Sequence, residues 1–521
     1  MAKPSAGLYV GHGQRNLTSL PVEILLNILS LVHLKDVVTF PFVCQAFSSL
    51  AQNRILWIRA LSAERLLRPI ACPKNTELVS LALADLKHIA QRTCRLQRTW
   101  AVNHPDALQI SGPIKAIVVD AEGPVDIIDQ VPGTELYVFH SRATGEAFVL
   151  DANTGKTTCT LHVGFTVVDT FPGCKKGNKF YVSLLVLDDD TDCSKILILC
   201  VDCDVLSGPR LTIAFEHEFK PQFSHSTIFM TTEYVGAQEF VDAPVEPSGD
   251  NHVRIVAVNI TTGRQTTITT NVPQEVRSLA DTQSLNTYFS DSKHRGFTLC
   301  TINNKMFIVV DYKFTSSAFP VPHNMLPLDT NPDVPSTSTL NIRLGTPVAS
   351  ASWDPGENLL YEPRCMICTG DPQGGLAISL QSKVQPDLGS VALQLRFWTP
   401  VLTSSAPDDA TFMIVPKWTT EIFGALQSSP DMEWILATNS SSGRMILVVV
   451  NRPNIGLKLY LVVVDPGLDR CVAHELKVLS FIDLATVSSP AIDEQRGTVS
   501  LYNEDGTLFV IPYARNLQII A

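Results

Sequence analysis

Two Cys-x-x-Cys pairs, Cys200/Cys203 and Cys365/Cys368, have the spacing that zinc-binding thiolates use. Cys200 and Cys203 lie in a strand-like run, where residues three apart point to opposite faces. A cysteine is also commonly a small buried apolar residue. The strand-like context therefore favours buried structural thiols, and we expect no metal site.

The acidic run Asp188–Asp192 has the composition of a calcium loop. It lacks the glycine and the distal glutamate that an EF-hand requires, so the run favours a solvated hairpin tip. The twelve histidines are scattered, and neither a His-Glu-x-x-His helix nor a Gly-x-Ser-x-Gly elbow is present. We expect no catalytic residues, no cofactor and no enzymatic activity, with an enzyme as the remaining alternative.

Composition limits the kinds of partner. Of the 521 residues, 45% are hydrophobic and 17% are charged, a balance typical of a folded chain. The net charge of −11 does not favour nucleic acid, and the basic run 92–98 is best interpreted as a solvated helix face. Apolar runs such as 457–464 stop far short of the ~20 residues that cross a bilayer. We expect a cytoplasmic or nuclear protein with reduced thiols and no membrane partner.

Periodicity predicts an α+β multidomain chain: a flexible leader at 1–16, short helices at 17–66, connector helices at 67–110 and a β-rich region at 111–521. Pro21 suits a first helical turn, and Pro41 should interrupt or end the second helix. The predicted helices are 21–31, one from Lys35-Asp36, 43–50, 55–66 and a longer one over 76–100.

Recurring hairpins organise the β-rich region. Turn glycines at 155, 208 and 263 are 53 and 55 residues apart, and similar turns recur at 303–304, 466–467 and 505–506. A repeat of roughly 50–60 residues is typical of a β-propeller blade. We predict an all-β propeller of about seven blades, with two serial β-sandwiches as the alternative, and a long inter-strand insertion at 315–347.

The propeller ring also needs to be closed. The last hairpin, 497–513, ends close to residue 521. The strand around Ile114–Val119 is predicted to complete the blade that this hairpin begins.

The helical segment 17–66 carries more apolar residues than it can bury. A domain of that size hides only a modest fraction of its surface, so apolar side chains should remain exposed. An exposed apolar patch usually marks a partner site. Either the segment binds another protein, or it packs against the β-rich region of this chain.

The same segment resembles an F-box, whose pattern begins Leu-Pro-x-Glu and closes on Leu-Trp. The match is ungapped, and Pro41 is its one departure, since F-box helices usually carry a small or apolar helix former there. The matching residues are Leu20, Pro21, Glu23, Ile24, Leu25, Ile28, Leu29, Leu34, Asp36, Val37, Val43, Cys44, Phe47, Leu50, Leu56 and Trp57.

The resemblance implies a Skp-family adaptor as partner and, through it, the cullin of an SCF ubiquitin ligase. Residues 76–119 more loosely resemble the connector of fungal F-box proteins with propeller-like C-terminal regions. The chain would then be a substrate receptor whose propeller binds an unidentified target protein, or an F-box scaffold outside ubiquitination. The predicted adaptor-binding residues are Leu20, Pro21, Ile24, Leu25, Ile28, Leu29, Leu34, Val43, Cys44, Leu56 and Trp57.

Overall fold

The structure is a computed structural model of the chain, and it consists of two compact units. The first unit contains the helices up to Arg95, and the second continues from Leu96. The residues that the structure describes are 17, 20–29, 32–67, 70, 78–101, 107–176, 178–188, 193–203, 208–220, 223–231, 233–241, 252–273, 297–302, 305–312, 315–321, 340–343, 349–352, 366–369, 377–385, 390–402, 412–418, 426–427, 434–440, 445–452, 456–465 and 470–513.

The helical unit is built from short helices. Their bounds are α1 Val22–Leu29, α2 Leu34–Thr39, α3 Gln45–Leu50, α4 Arg54–Leu67 and α5 Leu83–Ala101. Among the described residues, none of the helices is long and apolar enough to cross a membrane. The leader predicted at 1–16 lies outside the described residues.

Two turns of 3₁₀ helix bear on the predicted helix bounds, one confirming a predicted end and the other correcting a predicted start. Pro41 lies in the 3₁₀ turn Phe40–Phe42 directly after α2, which confirms that it ends that helix, because proline has no N–H to continue the ladder. The long helix predicted over 76–100 begins only at Leu83. Leu78–Ser80 forms a separate 3₁₀ turn before it.

One apolar core holds the helical unit together. The first part of α5 contributes Leu86, Ile89 and Ala90 to the same buried cluster as Leu29 and Leu61. Segment 83–95 therefore packs with the short helices, and the compact unit extends beyond residue 66. The last turn of α5 belongs to the second unit, where Trp100 is buried.

The described strands of the second unit form seven sheets, mostly of four strands, and the pairs within them are antiparallel except for one pair in the third sheet. The first four sheets are β2 Val125–Gln130, β3 Leu136–Ser141, β4 Glu146–Asp151 and β5 Lys156–His162; β6 Thr166–Lys176, β7 Lys179–Asp188, β8 Cys193–Asp202 and β9 Arg210–Glu218; β10 Phe223–Met230, β11 Tyr234–Val241, β12 His252–Asn259, β13 Gln265–Pro273 and β17 Leu340–Arg343; and β14 Phe297–Ile302, β15 Lys305–Tyr312, β16 Thr315–Val321 and β18 Ala349–Ser352. The remaining three are β19 Met366–Thr369, β20 Ala377–Gln385, β21 Ser390–Leu402, β22 Phe412–Trp418 and β23 Leu426–Gln427; β24 Trp434–Asn439, β25 Met445–Arg452, β26 Gly456–Asp465 and β27 Arg470–Leu476; and β28 Val487–Asp493, β29 Thr498–Asn503, β30 Thr507–Pro512 and β1 Lys115–Val118.

This arrangement is a β-propeller. The first strands of most neighbouring sheets contact one another, and β28 of the last sheet lies beside β2 of the first. Apolar clusters fill the space between sheets, as where Val138 and Val149 meet Leu184 and Leu199. The propeller prediction is confirmed, and the alternative of two serial sandwiches is wrong.

The predicted closing strand is confirmed. β1 pairs antiparallel with β30, and Ile117 lies opposite Leu508. The outermost strand of the last sheet therefore comes from the start of the β-rich region. Tyr137 of the first sheet and Ser500 of the last also share a hydrogen bond of 2.7 Å between their hydroxyl oxygens.

The three evenly spaced turn glycines lie at the equivalent position in three successive sheets. Gly155, Gly208 and Gly263 join the third and fourth strands of the first three sheets, with φ of 68°, 76° and 68°. Residues with a Cβ rarely adopt this backbone conformation. Their spacing is therefore the length of one blade.

The prediction of a plain insertion at 315–347 is wrong in part. Residues 315–321 form β16, the third strand of the fourth sheet. Residues 340–343 form β17, which pairs in parallel with β13 of the third sheet. The chain thus adds a fifth strand to the third blade before it completes the fourth blade with β18. Hairpin turn signals do not predict a strand that returns to an earlier sheet.

Candidate functional site

Five of the predicted adaptor-binding residues lie in the core of the helical unit. They are Leu25, Leu29, Leu34, Leu56 and Trp57, and each is at most 7% exposed. The indole Nε1 of Trp57 donates to the carbonyl of Ala51 at 2.8 Å. Burying a large apolar side chain contributes ~1.5–3 kcal/mol, so these residues stabilise the unit.

The other six predicted residues are exposed. Leu20, Ile24 and Ile28 follow one another at intervals of four, so they share one face of α1 and its approach. Val43 is 69% exposed in the turn before α3. Pro21 and Cys44 are exposed as well.

Exposed apolar residues that the motif did not single out accompany these six. They are Leu17, Val22, Phe42, Ile55 and Val79, of which Phe42 is 84% exposed. Together with Leu20, Ile24, Ile28 and Val43 we call them the apolar surface residues of the helical unit.

Val79 lies outside the short helices, and Arg54 holds it in place. The Arg54 guanidinium donates through Nη2 to the carbonyls of Val79, at 2.7 Å, and of Leu81, at 2.8 Å. This contact fixes the 3₁₀ turn Leu78–Ser80 beside the start of α4, where Ile55 is exposed. No local sequence pattern predicts the contact, because its partners are 25 and 27 residues apart.

The assignment of the adaptor-binding residues stays a prediction. The structure divides them into a buried group and an exposed group, and only exposed side chains can contact a partner without unfolding the unit.

A cavity of about 960 Å³ lies in the propeller among the first strands of its last, first and second sheets. Side chains of β28, β2 and β6 form its walls, and the segment before β2 and the turn before β30 contribute its rim. Its lining includes Val119, Ala121, Gly123, Pro124, Val125, Asp126, Ile127, Ile128, Asp129, His140, Arg142, Val167, Asp169, Thr170, Ser488, Ser489, Pro490, Ala491, Ile492, Tyr502, Glu504, Asp505 and Gly506.

Two aspartates on the cavity wall occupy equivalent positions in successive sheets. The register of β2 on β3 shifts between Ile127 and Asp129, and that of β6 on β7 shifts between Val167 and Asp169. A bulge of this kind redirects the side chain that follows it. A signal for both aspartates exists in the sequence, because each follows two β-branched residues in the first strand of its blade.

Each of these carboxylates joins its own sheet to the next one. Asp129 accepts the backbone N–H of Gly173 in β6 at 2.7 Å, and Asp169 accepts that of Ile228 in β10 at 2.8 Å. The second oxygen of each accepts the N–H of the following residue, Gln130 or Thr170. Both carboxylates are thereby fixed in position.

A third carboxylate accepts a backbone N–H across the junction between the last and first sheets. Asp493 of the last sheet accepts the N–H of Gly133 in the first sheet at 3.0 Å. The nearby Arg496 donates to the carbonyl of Thr134 at 2.9 Å and also forms an ion pair with Glu135. These contacts connect the last sheet to the first through the side chains of Asp493, at the end of β28, and of Arg496, in the turn that follows.

Burial determines the protonation of this region. It raises the pKa of Asp129 to about 7 and that of Asp169 to about 6, against the opposing effect of the backbone N–H donors. It also lowers the pKa of His140, whose Nε2 lies 2.8 Å from the carbonyl of Gly164. The imidazole is therefore neutral at neutral pH.

The rim of the cavity carries acidic groups. Asp126 accepts from Nε of Arg142 at 2.7 Å, while Glu504 and Asp505 are exposed. Of the residues that line the cavity, Arg142 is the one lysine or arginine. Beneath this rim, Asp129 and Asp169 use both of their carboxylate oxygens to accept backbone N–H groups.

The residues first considered for metal chemistry lie elsewhere. Cys200 and Cys203 are buried free thiols at the end of β8, and the Sγ of Cys203 donates to the carbonyl of Val201 at 3.8 Å. Cys365 and residues 189–192 lie outside the described part of the chain.

The helical unit matches a known family. Residues 17–61 match the family model described as F-box-like. No curated protein matches the sequence.

Two solved structures are among those similar to the chain. The β-propeller domain of Cps50 (Swd1) from Myceliophteria thermophila is 10% identical, with a TM-score of 0.41 over 77% of this chain and 99% of that one. A chain of the mitotic checkpoint complex is 10% identical, with a TM-score of 0.35 over 79% of this chain and 94% of that one. The propeller assignment itself rests on the seven sheets and their closure.

The motif from Leu20 to Trp57, the family match over 17–61 and the closed ring of sheets agree with one another. The chain therefore carries an F-box-like domain at residues 17–61, and its C-terminal region is a β-propeller.

Proposed function

We propose that this protein is the substrate-receptor subunit of an SCF-type ubiquitin ligase. The helical unit binds a Skp-family adaptor, and through it the cullin, while the propeller binds a target protein. The chain itself performs no catalysis, since ubiquitin transfer belongs to other subunits. It acts in the cytoplasm, the nucleus or both.

The apolar surface residues of the helical unit are the observation that carries this proposal. Leu20, Ile24 and Ile28 expose between 37% and 45% of their surface on one helical face. Phe42 and Val43 add two of the most exposed apolar side chains among the described residues. Apolar side chains that share one exposed face usually mark a protein partner, and the residues of this set other than Val79 lie within the F-box-like match.

Variants at exposed positions test the adaptor interface without removing the core. We expect Ile24→Asp/Ile28→Asp to weaken binding of a purified Skp-family adaptor by at least about 30-fold, because losing one interface anchor costs ~2 kcal/mol or more. Binding is measured by calorimetry on the full chain. Leu25→Asp is unsuitable for this purpose, because Leu25 is only 7% exposed and its loss would unfold the unit.

The control is Val118→Asp, which places one aspartate charge at an exposed apolar position of the propeller, where the side chain is 74% exposed in β1. This variant should bind the adaptor as the unaltered chain does. Unchanged adaptor affinity in Ile24→Asp/Ile28→Asp, with the helical unit still folded, would show that the assigned interface is wrong.

The isolation of complexes separates the proposed function from the alternatives. Recovery of the adaptor together with the cullin supports a ligase receptor. Recovery of the adaptor without the cullin supports an F-box scaffold outside ubiquitination, and recovery of neither supports a propeller enzyme.

A further inference from the structure

The cavity among β2, β6 and β28 has the size and the lining of a binding site. Its volume of about 960 Å³ is near the upper end of the range that protein ligand sites occupy. Val125 and Ile492 form buried parts of its wall, whereas Gly123 and Pro124 are exposed at its rim. The wall of the cavity therefore presents apolar side chains beside the Asp129 and Asp169 carboxylates, and its edge is open to solvent.

The charges around the cavity are mainly negative. Glu504 and Asp505 lie side by side at the exposed rim, and Asp126 lies on β2. The one cation of the lining, Arg142, is already paired with Asp126. The rim thus has an excess of carboxylates, and a ligand of positive charge would complement it.

The wall beneath the rim is held in place before any ligand arrives. Asp129 and Asp169 each accept two backbone N–H groups, one of them from the neighbouring sheet. These bonds fix β2, β6 and β10 relative to one another. A site on rigid strands loses little conformational entropy when a ligand binds.

We propose that this cavity binds a segment of the target protein that carries a lysine or arginine side chain. The aliphatic stem of that side chain packs on the apolar wall, and its charged end faces Asp126, Glu504 and Asp505. Long basic side chains commonly divide their contacts in this way. The inference rests on the proposed role of the propeller as the target-binding unit and specifies the chemistry of the target.

Immobilised peptides with one fixed residue and randomised flanks test this proposal on the full chain. We expect peptides with a fixed arginine or lysine to retain at least about fivefold more protein than those with a fixed glutamine, glutamate or leucine. Added salt should reduce that preference, because the rim charges are exposed.

Two isosteric variants, each lacking two negative charges, distinguish binding of basic peptides by the cavity from attraction by the overall negative charge of the chain. Glu504→Gln/Asp505→Asn removes two rim charges, and the amide introduced at position 505 keeps an oxygen that can accept the N–H of Thr507, as the Asp505 carboxylate does at 2.9 Å. Glu216→Gln/Glu218→Gln removes two exposed charges from β9, away from the cavity. The first variant should lose the preference for basic peptides, and the second should keep it.

Equal retention of basic, neutral and acidic peptides would overturn the proposal. So would the same preference in Glu504→Gln/Asp505→Asn and in the unaltered chain. Neither result depends on the adaptor, so a failure here is distinguishable from a failure of the F-box interface, which the Ile24→Asp/Ile28→Asp variant tests separately.

Discussion

Asp129 and Asp169 show how a single residue contributes to a ring of sheets. Each follows a bulge in the first strand of its blade and accepts a backbone N–H from the next blade. Periodicity alone would treat both as ordinary polar residues of a strand. Their function depends on a neighbouring sheet that begins about one blade further along the chain, so it becomes visible only in the folded ring.

The raised pKa of Asp129 predicts a pH-dependent stability. Its pKa is about 7 in the folded chain, above the ordinary value of 3.8, mainly because of burial and in small part because Asp493 is near. The folded state therefore binds more protons between these values. The stability that this difference contributes is complete below about pH 4 and is lost as the pH rises through about 7.

Asp129→Asn removes the ionisation and keeps the shape of the side chain. We expect its melting temperature, relative to the unaltered chain, to be higher at about pH 8 than at about pH 5. Asp126→Asn, which instead breaks the ion pair with Arg142, is the control for losing a cavity carboxylate. A difference between Asp129→Asn and the unaltered chain that stays constant over this range would contradict the explanation.

At the scale of the element, α1 shows what the sequence can and cannot predict. The residues of α1 predict a helix with two apolar stripes, one through Ile24 and Ile28 and one through Leu25 and Leu29. The structure buries the second stripe and exposes the first. This choice depends on packing with α4 and α5, whose residues lie far away in the sequence, so local periodicity does not determine it.

The closing strand β1 is the element on which the ring depends. Without it, β30 would present an open edge, and the apolar contacts of Ile117 would be lost. The closing role of β1 is predictable because propellers commonly complete their last blade with a strand from the start of the β-rich region. The fifth strand β17 was missed, since the third blade is already complete without it.

Two neighbouring positions test the contribution of β1. Ile117→Asp should destabilise the propeller by about 1–3 kcal/mol, because it places a charge against the apolar cluster between the last and first sheets. Val118→Asp, on the exposed side of the same strand, should leave the melting temperature almost unchanged.

Deletion of residues 112–120 should abolish the cooperative unfolding transition of the propeller, as monitored by circular dichroism. A propeller that remains stably folded after this deletion would contradict the closure.

On the scale of the whole molecule, the two units differ in how their surfaces are used. The helical unit exposes apolar side chains within an F-box-like domain, whereas the propeller offers a cavity with an acidic rim. The F-box-like domain and the number of blades could be predicted from the sequence, because the first has a local motif and the second shows in the spacing of the turns. The sequence marks Asp129 and Asp169 only by the two β-branched residues before each, and it does not predict the cavity, since the walls come from strands on both sides of the ring closure.

Assembly with the cullin tests the central claim most directly. Purified full chain is immobilised, and the retention of cullin is measured with and without the Skp-family adaptor. We expect the cullin to be retained only when the adaptor is present, to be lost in Ile24→Asp/Ile28→Asp and to remain in Val118→Asp. Cullin that is not retained in the presence of a bound adaptor, or that is retained equally by Ile24→Asp/Ile28→Asp, would contradict the account of this protein as a ligase receptor.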